Sequence, residues 1–163
     1  MPYQNIQPVI AASPSITRSI HIDAPPSKVW GTLTVPDLMK EWMAEPEMEL
    51  GILTTWKVGS AMVVKGFHHV KFENKGTVLA FEPNKLLSYN YLSSISRLPD
   101  EPENYTVIEF TLAATEAGTT LAITLSNFPT DSIFKHVDFY WAGTIEIIKS
   151  VANKEAKGPS GTH

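Results

Sequence analysis

The segment from Ser132 to Lys154 constrains this chain most. Its apolar residues Val137, Trp141, Ile145 and Ile148 recur at spacings of four, four and three, which lines them up in one stripe along a helix. Almost everything before that helix has the two-residue rhythm of strands. A long amphipathic helix at the end of a strand-rich chain must bury its stripe on a surface, and the strands can supply it. Function then turns on what lies between helix and sheet.

With 163 residues, 43% of them hydrophobic, the chain suits one core rather than two. We expect a single domain over residues 15–156, between a flexible N-terminal arm (1–14) and a flexible tail (157–163). The arm contains Pro2 and Pro8 without periodicity, and Gly158 and Pro159 carry the chemistry of a helix stop. The formal net charge is −4 and there is no Lys/Arg run, so a nucleic-acid partner is not expected. No apolar run approaches the roughly 18 to 20 residues of a membrane span, and no signal-peptide pattern opens the chain. The expectation is a soluble, cytoplasmic protein without a membrane span. Lack of cysteine removes disulfides, thiol nucleophiles and thiolate metal sites.

Ser15 to Ile22 alternates Ile16, Arg18, Ile20 and Ile22 against polar residues and reads as the first strand. A break at Asp23–Ser27 leads to a short helix from about Ser27 to Leu33. Pro36 opens a second, with Leu38, Met39, Trp42 and Met43, limited by Pro46. Six strands are then expected: Glu47 to Leu50, Ser60 to Lys65, Thr77 to Phe81, Leu86 to Tyr91, Tyr105 to Leu112 and Thr119 to Ser126. Gly and Pro punctuate them. The turn at Glu116-Ala-Gly118 predicts a hairpin with about four loop residues. Ile108, Phe110 and Leu112 share one face, as do Leu121, Ile123 and Leu125, and Leu87, Tyr89 and Tyr91 join that dry face. Val78 to Phe81 has no clear parity.

Chemistry-bearing motifs are sparse. His68 and His69 are adjacent and would point to opposite faces of a strand, His136 and Asp138 are two apart on a helix, and His21 stands alone, so no metal ligand set forms. There is no Gly-x-Ser-x-Gly nucleophile elbow and no phosphate-cradling glycine loop. Glu73, Glu82, Glu109 and His69 are the nearest acid/base candidates. Glu109 has solvent parity and Glu82 precedes Pro83 in a turn, which is how solvated charges look. No catalytic residue, metal or cofactor is assigned.

The order and several residue runs resemble the START-like (SRPBCC) superfamily, in particular the branch similar to the C-terminal domain of the activator of Hsp90 ATPase. Ile20-His-Ile-Asp-Ala-Pro-Pro-Ser-Lys-Val-Trp30 resembles that branch's opening strand, Ala-Pro break and Val-Trp helix. Leu33-Thr-Val-Pro-Asp37 with Trp42 resembles its second helix. Gly76-Thr-Val78 with Glu82-Pro83 and Leu86 resembles the central hairpin, Gly118-Thr-Thr-Leu121 the last one, and Phe139-Tyr-Trp141 the start of the closing helix. The resemblance covers roughly Ile16 to Glu155. Tyr140 stands where the family usually has Gly, adding bulk beside the cavity. Eukaryotic activators also carry a separate N-terminal domain with an Asn-Asn-Trp-His-Trp motif, to which nothing in Met1 to Ser15 corresponds.

The resemblance implies an α+β helix-grip fold: a curved antiparallel sheet wrapped around a long C-terminal helix, with two short helices after the first strand. It also implies a cavity between helix and sheet, with the second helix near its mouth. The expected lining is Trp42, Tyr89, Tyr91, Phe110, Phe128, Val137, Trp141 and Ile145, apolar apart from the Tyr hydroxyls. An empty cavity of about 200 to 300 Å³ would cost roughly 5 to 7 kcal/mol, comparable to a domain's net stability, so a large one implies ligand or water. The expected function is the first of three readings, the other two being its alternatives. The three are noncovalent binding of a hydrophobic or amphipathic small molecule, a module that partners an Hsp90-type chaperone through its surface, and an aromatase/cyclase-like enzyme. A homodimer is compatible with each.

Overall fold

The first strand and the last meet side by side, and this closes the architecture. The computed structural model describes residues 14–67 and 69–157. Strand β1 (Ser15–Ile22) pairs antiparallel with β7 (Gly118–Ser126), Ile16 opposite Leu125 and Ile22 opposite Thr119. Between them in sequence come α1 (Pro26–Thr34), α2 (Pro36–Met43), β2 (Gly51–Thr54), β3 (Ala61–Phe67), β4 (Lys71–Glu82), β5 (Leu86–Ser93) and β6 (Thr106–Thr115); α3 (Asp131–Lys157) ends the described fold. The sheet order is β1-β7-β6-β5-β4-β3-β2, every neighbour antiparallel. This is the expected α+β helix-grip fold, a curved seven-stranded sheet around a long helix. The expected arm and tail lie almost wholly outside the described residues.

Local chemistry explains the element boundaries. Pro26 and Pro36 each occupy a first helical position, where a missing N–H is harmless, and Val35 alone separates the two short helices. The Thr130 hydroxyl accepts the Ile133 N–H at 3.1 Å and caps α3, with Asp131 in its first turn and Lys154 and Lys157 in its last. The stripe Val137, Trp141, Ile145 and Ile148 is buried throughout. Arg18 of β1 holds α3 from the side, donating to the Asp138 carboxylate at 2.6 Å and to its carbonyl at 3.2 Å.

Three sequence expectations need correction. The strand expected at Glu47–Leu50 starts later: a 3-10 turn occupies Pro46–Met48 and Glu49 has φ +48, so pairing begins at Gly51. The strand expected at Thr77–Phe81 runs from Lys71 to Glu82. Gly76, which looked like punctuation, lies inside that strand, where a Cβ would sit 1.8 Å from the Asn90 carbonyl oxygen, so the position requires glycine. The last hairpin is tighter than expected, with Glu116 and Ala117 alone between Thr115 and Gly118. Gly118 adopts φ +148, and a Cβ there would lie 2.2 Å from the Ile22 carbonyl oxygen.

The missing parity of Val78 to Phe81 also has a cause. Pairing between β4 and β5 shifts register between Val78 and Ala80, leaving Leu79 outside. A bulge of this kind destroys simple alternation. On the inner face, Leu87, Ile108, Phe110, Leu121, Ile123 and Leu125 are fully or almost fully buried, as the dry-face reading requires. The α3 backbone comes closest to β1, α1 and α2, and it meets the middle of the sheet through large aromatic side chains. Among the described residues, no helix is long and apolar enough to cross a membrane.

Candidate functional site

The space between α3 and the middle of the sheet is occupied by rings. Trp42 of α2, Phe110 of β6 and Trp141 of α3 form a triangle, with centroid separations of 6.4 Å (Trp42–Phe110), 5.9 Å (Trp42–Trp141) and 6.0 Å (Phe110–Trp141). Tyr89 of β5 extends it at 6.1 Å from Phe110. Val137 and Ile145 flank Trp141 one turn away on each side, both buried. Six of the eight residues expected to line a cavity thus converge on one buried region. Tyr91 follows Tyr89 on the same face of β5 and is half-buried. Phe128 instead packs edge-on against Phe134, 5.1 Å away near the start of α3.

Sequence reasoning missed Trp56 altogether. It lies between β2 and β3 with φ +62, stacks on Phe81 at 5.6 Å and tilts onto Tyr89 at 6.1 Å. Phe81 meets Trp30 edge-on at 5.2 Å, so rings run continuously from α1 through the sheet to α3. A loop tryptophan has no periodicity to reveal its direction. The usable signal was its size, since so large an apolar ring is seldom left in water.

The polar tips of three of these aromatics are consumed by the fold. The Trp42 indole N–H donates to the Thr32 carbonyl at 2.8 Å and that of Trp56 to the Thr34 carbonyl at 2.9 Å, both in the last turn of α1. The Tyr140 hydroxyl donates at 2.9 Å to the Met43 carbonyl, the last of α2. Such terminal carbonyls have no partner within their own helix and must find one elsewhere. Tyr140, in place of the family's glycine, thus ties α3 to α2. Its ring also meets Trp141 edge-on at 5.4 Å and stacks on His136 at 6.5 Å.

Tyr89 is different. It is only 6% exposed, and among the described residues its hydroxyl makes no hydrogen bond. Burial drives its pKa far above the ordinary phenol value, with smaller contributions from Tyr140 and Tyr91. Tyr91 is pushed up to about 12 by burial and by Tyr140, against a hydrogen bond with Thr106 that pulls it down. Tyr140 is raised by burial and lowered in part by a hydrogen bond with Thr144. All three phenols therefore stay neutral near pH 7. They can give and receive hydrogen bonds but are poorly matched to proton transfer at that pH.

The carboxylates and histidine considered from sequence lie away from this seam. His69 occupies the exposed turn between β3 and β4 with φ +66, Glu82 is exposed at the end of β4, and Glu109 alternates away from the inward-facing Ile108 and Phe110. Glu73 lines an open cleft of about 570 Å³ with Met48, Lys65, Phe67, Lys71 and Phe72. A second cleft, of about 330 Å³, lies between the β1–α1 connection and the β6–β7 turn. None of the eight expected cavity residues lines either cleft.

A family model described as Activator of Hsp90 ATPase homolog 1-like protein matches residues 23–153. The chain belongs to this family. Its helix-grip fold is that of the START-like (SRPBCC) domains, as the residue runs implied. Among solved structures, ChR145 from Cytophaga hutchinsonii is 31% identical with a TM-score of 0.75, the match covering 91% of this chain and 100% of that one. The Aha1 dimer from Colwellia psychrerythraea is 26% identical with a TM-score of 0.67, covering 86% of this chain and 96% of that one. MLL2253 from Mesorhizobium loti is 25% identical with a TM-score of 0.68, covering 86% and 98% respectively. No curated protein sequence matches the chain.

Proposed function

We propose that this family member binds a small apolar or amphipathic molecule in the seam between α3 and strands β5 and β6. The observation that supports the reading is the convergence of Trp42, Tyr89, Phe110, Val137, Trp141 and Ile145 on one buried, aromatic-rich region whose Tyr89 hydroxyl makes no hydrogen bond among the described residues. The seam also has a graded approach. Burial falls from Tyr89 to Tyr91 along β5, and Tyr140 is half-buried on the facing helix. Predominantly apolar walls with a few convergent hydroxyls are the usual composition of a small-molecule site.

Native mass spectrometry of freshly purified protein should reveal a retained small molecule. A naphthalene-type or lipid-like fluorescent probe should bind at saturable stoichiometry and raise the melting temperature with its concentration. Tyr91→Ala should weaken the probe without unfolding the chain. No thermal shift across a broad panel of lipids and aromatic compounds would overturn the proposal.

A second reading uses the surface. Phe139 is 83% exposed on the outer side of α3, and Ile147, two turns on, is 45% exposed. Exposed apolar side chains on one helix face suit a protein partner, and the family's description points to an Hsp90-type chaperone. The dimeric Colwellia relative makes a second copy of this chain the other natural occupant. Stimulation of an Hsp90 ATPase by the chain, lost in Phe139→Asp, would support the chaperone; a concentration-dependent mass doubling, lost in the same variant, would support the dimer.

A further inference from the structure

The outward face of α3 carries a pattern that its own chain does not use. Phe139 and Ile147 are exposed there, and Gly143 lies midway between them, four residues from each, so the three stand in one row along the helix. Glycine weakens a helix interior, and nothing in the chain lies within 4 Å of the place a Gly143 Cβ would occupy. Packing within the fold therefore gives no reason for glycine at this position. A surface arriving from outside does, because the missing side chain leaves a notch between two apolar knobs through which a second backbone can approach closely.

The row also reads alike in both directions. A two-fold axis through Gly143 sets each residue opposite the one equally far on its other side, so Phe139 of either copy meets Ile147 of the other, and the face is its own complement. Charge selects the direction. Between Phe139 and Ser150 the exposed charged residue is Glu146, while Lys149 is half-buried. A parallel pair would set Glu146 against its own copy, whereas an antiparallel pair parts the two by about 9 Å along the axis. The antiparallel pair also runs the first turn, with Asp131, toward the partner's last turn, with Lys154 and Lys157, and opposes the helix dipoles. Asp131 and Lys154 now pair with Lys135 and Glu41, exposed contacts of the kind that hold little.

Building on the surface reading, we infer that a second copy of this chain covers this face: two α3 helices cross antiparallel at Gly143, each Phe139 seated beside the notch of the other copy and against its Ile147. One helix pair buries less than the roughly 1,200 Å² of a standard interface, so the dimer is weak and reversible.

Sedimentation of the intact chain from about 10 μM to about 1 mM should show monomer giving way to dimer. Gly143→Leu fills the notch and should weaken the dimer about tenfold or more. Its melting temperature in dilute solution should hold or rise, because leucine is the better helix former and has room within the chain. The chain has no cysteine, so a single introduced thiol can pair only with its own copy. Under mild oxidation Gly143→Cys should cross-link about tenfold or more faster than Ser150→Cys, which sits seven residues from the axis and so about 20 Å from its counterpart. Equal cross-linking of the two would overturn the antiparallel crossing. A dimer indifferent to Gly143→Leu would overturn α3 as the contact while leaving dimerisation intact. A chain that stays monomeric throughout the range would remove the second copy, and loss of Hsp90 stimulation in Phe139→Asp would then give the face to the chaperone.

Discussion

At the shoulder where α1 and α2 end, the buried Trp42 and the half-buried Trp56 and Tyr140 each donate to a helix-terminal carbonyl, whereas in the adjoining seam the buried Tyr89 ends in a hydroxyl with no such partner among the described residues. The rings of the two regions touch, Trp56 on Tyr89 and Trp42 on Phe110, so packing does not distinguish them. Their polar tips do. At the shoulder the tips finish the hydrogen bonding of two short helices that could not cap themselves. In the seam the Tyr89 tip makes no hydrogen bond among the described residues.

Substitutions can break this contrast at several points. The largest effect is expected from Trp141→Ala, which removes the ring common to both regions and should destabilise the chain by about 3 to 5 kcal/mol through lost burial and a new cavity. Its denaturant midpoint should fall accordingly; an unchanged midpoint would contradict the packing of α3. Trp42→Phe comes next, at about 1 to 3 kcal/mol, because it strands the buried Thr32 carbonyl while keeping an aromatic ring. Chemical denaturation would measure it.

Tyr140→Phe should cost about 0.5 to 1.5 kcal/mol, the value of one half-buried hydrogen bond to the Met43 carbonyl. Its melting temperature should fall modestly, and a double mutant with Trp42→Phe should reveal coupling, because both side chains pack on Trp141. The smallest effect belongs to Tyr89→Phe. Stability should change by no more than about 0.5 kcal/mol, or rise, since the hydroxyl removed has no partner to lose. A large destabilisation there would show that the Tyr89 hydroxyl is structural after all, and the contrast between the two regions would collapse.

Much of the fold was legible because periodicity reports burial. The stripe from Val137 to Ile148, the alternation of Ile16 to Ile22 and the shared faces of β6 and β7 all appear as read. Boundaries failed where backbone geometry overrode side-chain pattern. The left-handed Glu49 delayed β2, the bulge at Val78 to Ala80 scrambled β4, and Gly76 proved to be a point of close strand approach rather than a break. Trp56 escaped notice because a loop has no repeating phase from which to infer direction.

From the sequence alone came the α+β architecture and the aromatic character of the interior, which follow from pattern and composition, and the family with its helix grip, which came from the resemblance of particular residue runs. Only the tertiary structure decided which aromatic tips are spent on the fold. Trp42 meets Thr32 ten residues away, Trp56 meets Thr34 at a separation of 22, and Tyr140 meets Met43 at 97. Hydrogen-bond partnership at such separations depends on where elements pack rather than on what neighbours a residue in sequence. The same is true of Tyr89, whose lack of a partner is a fact about the space around it.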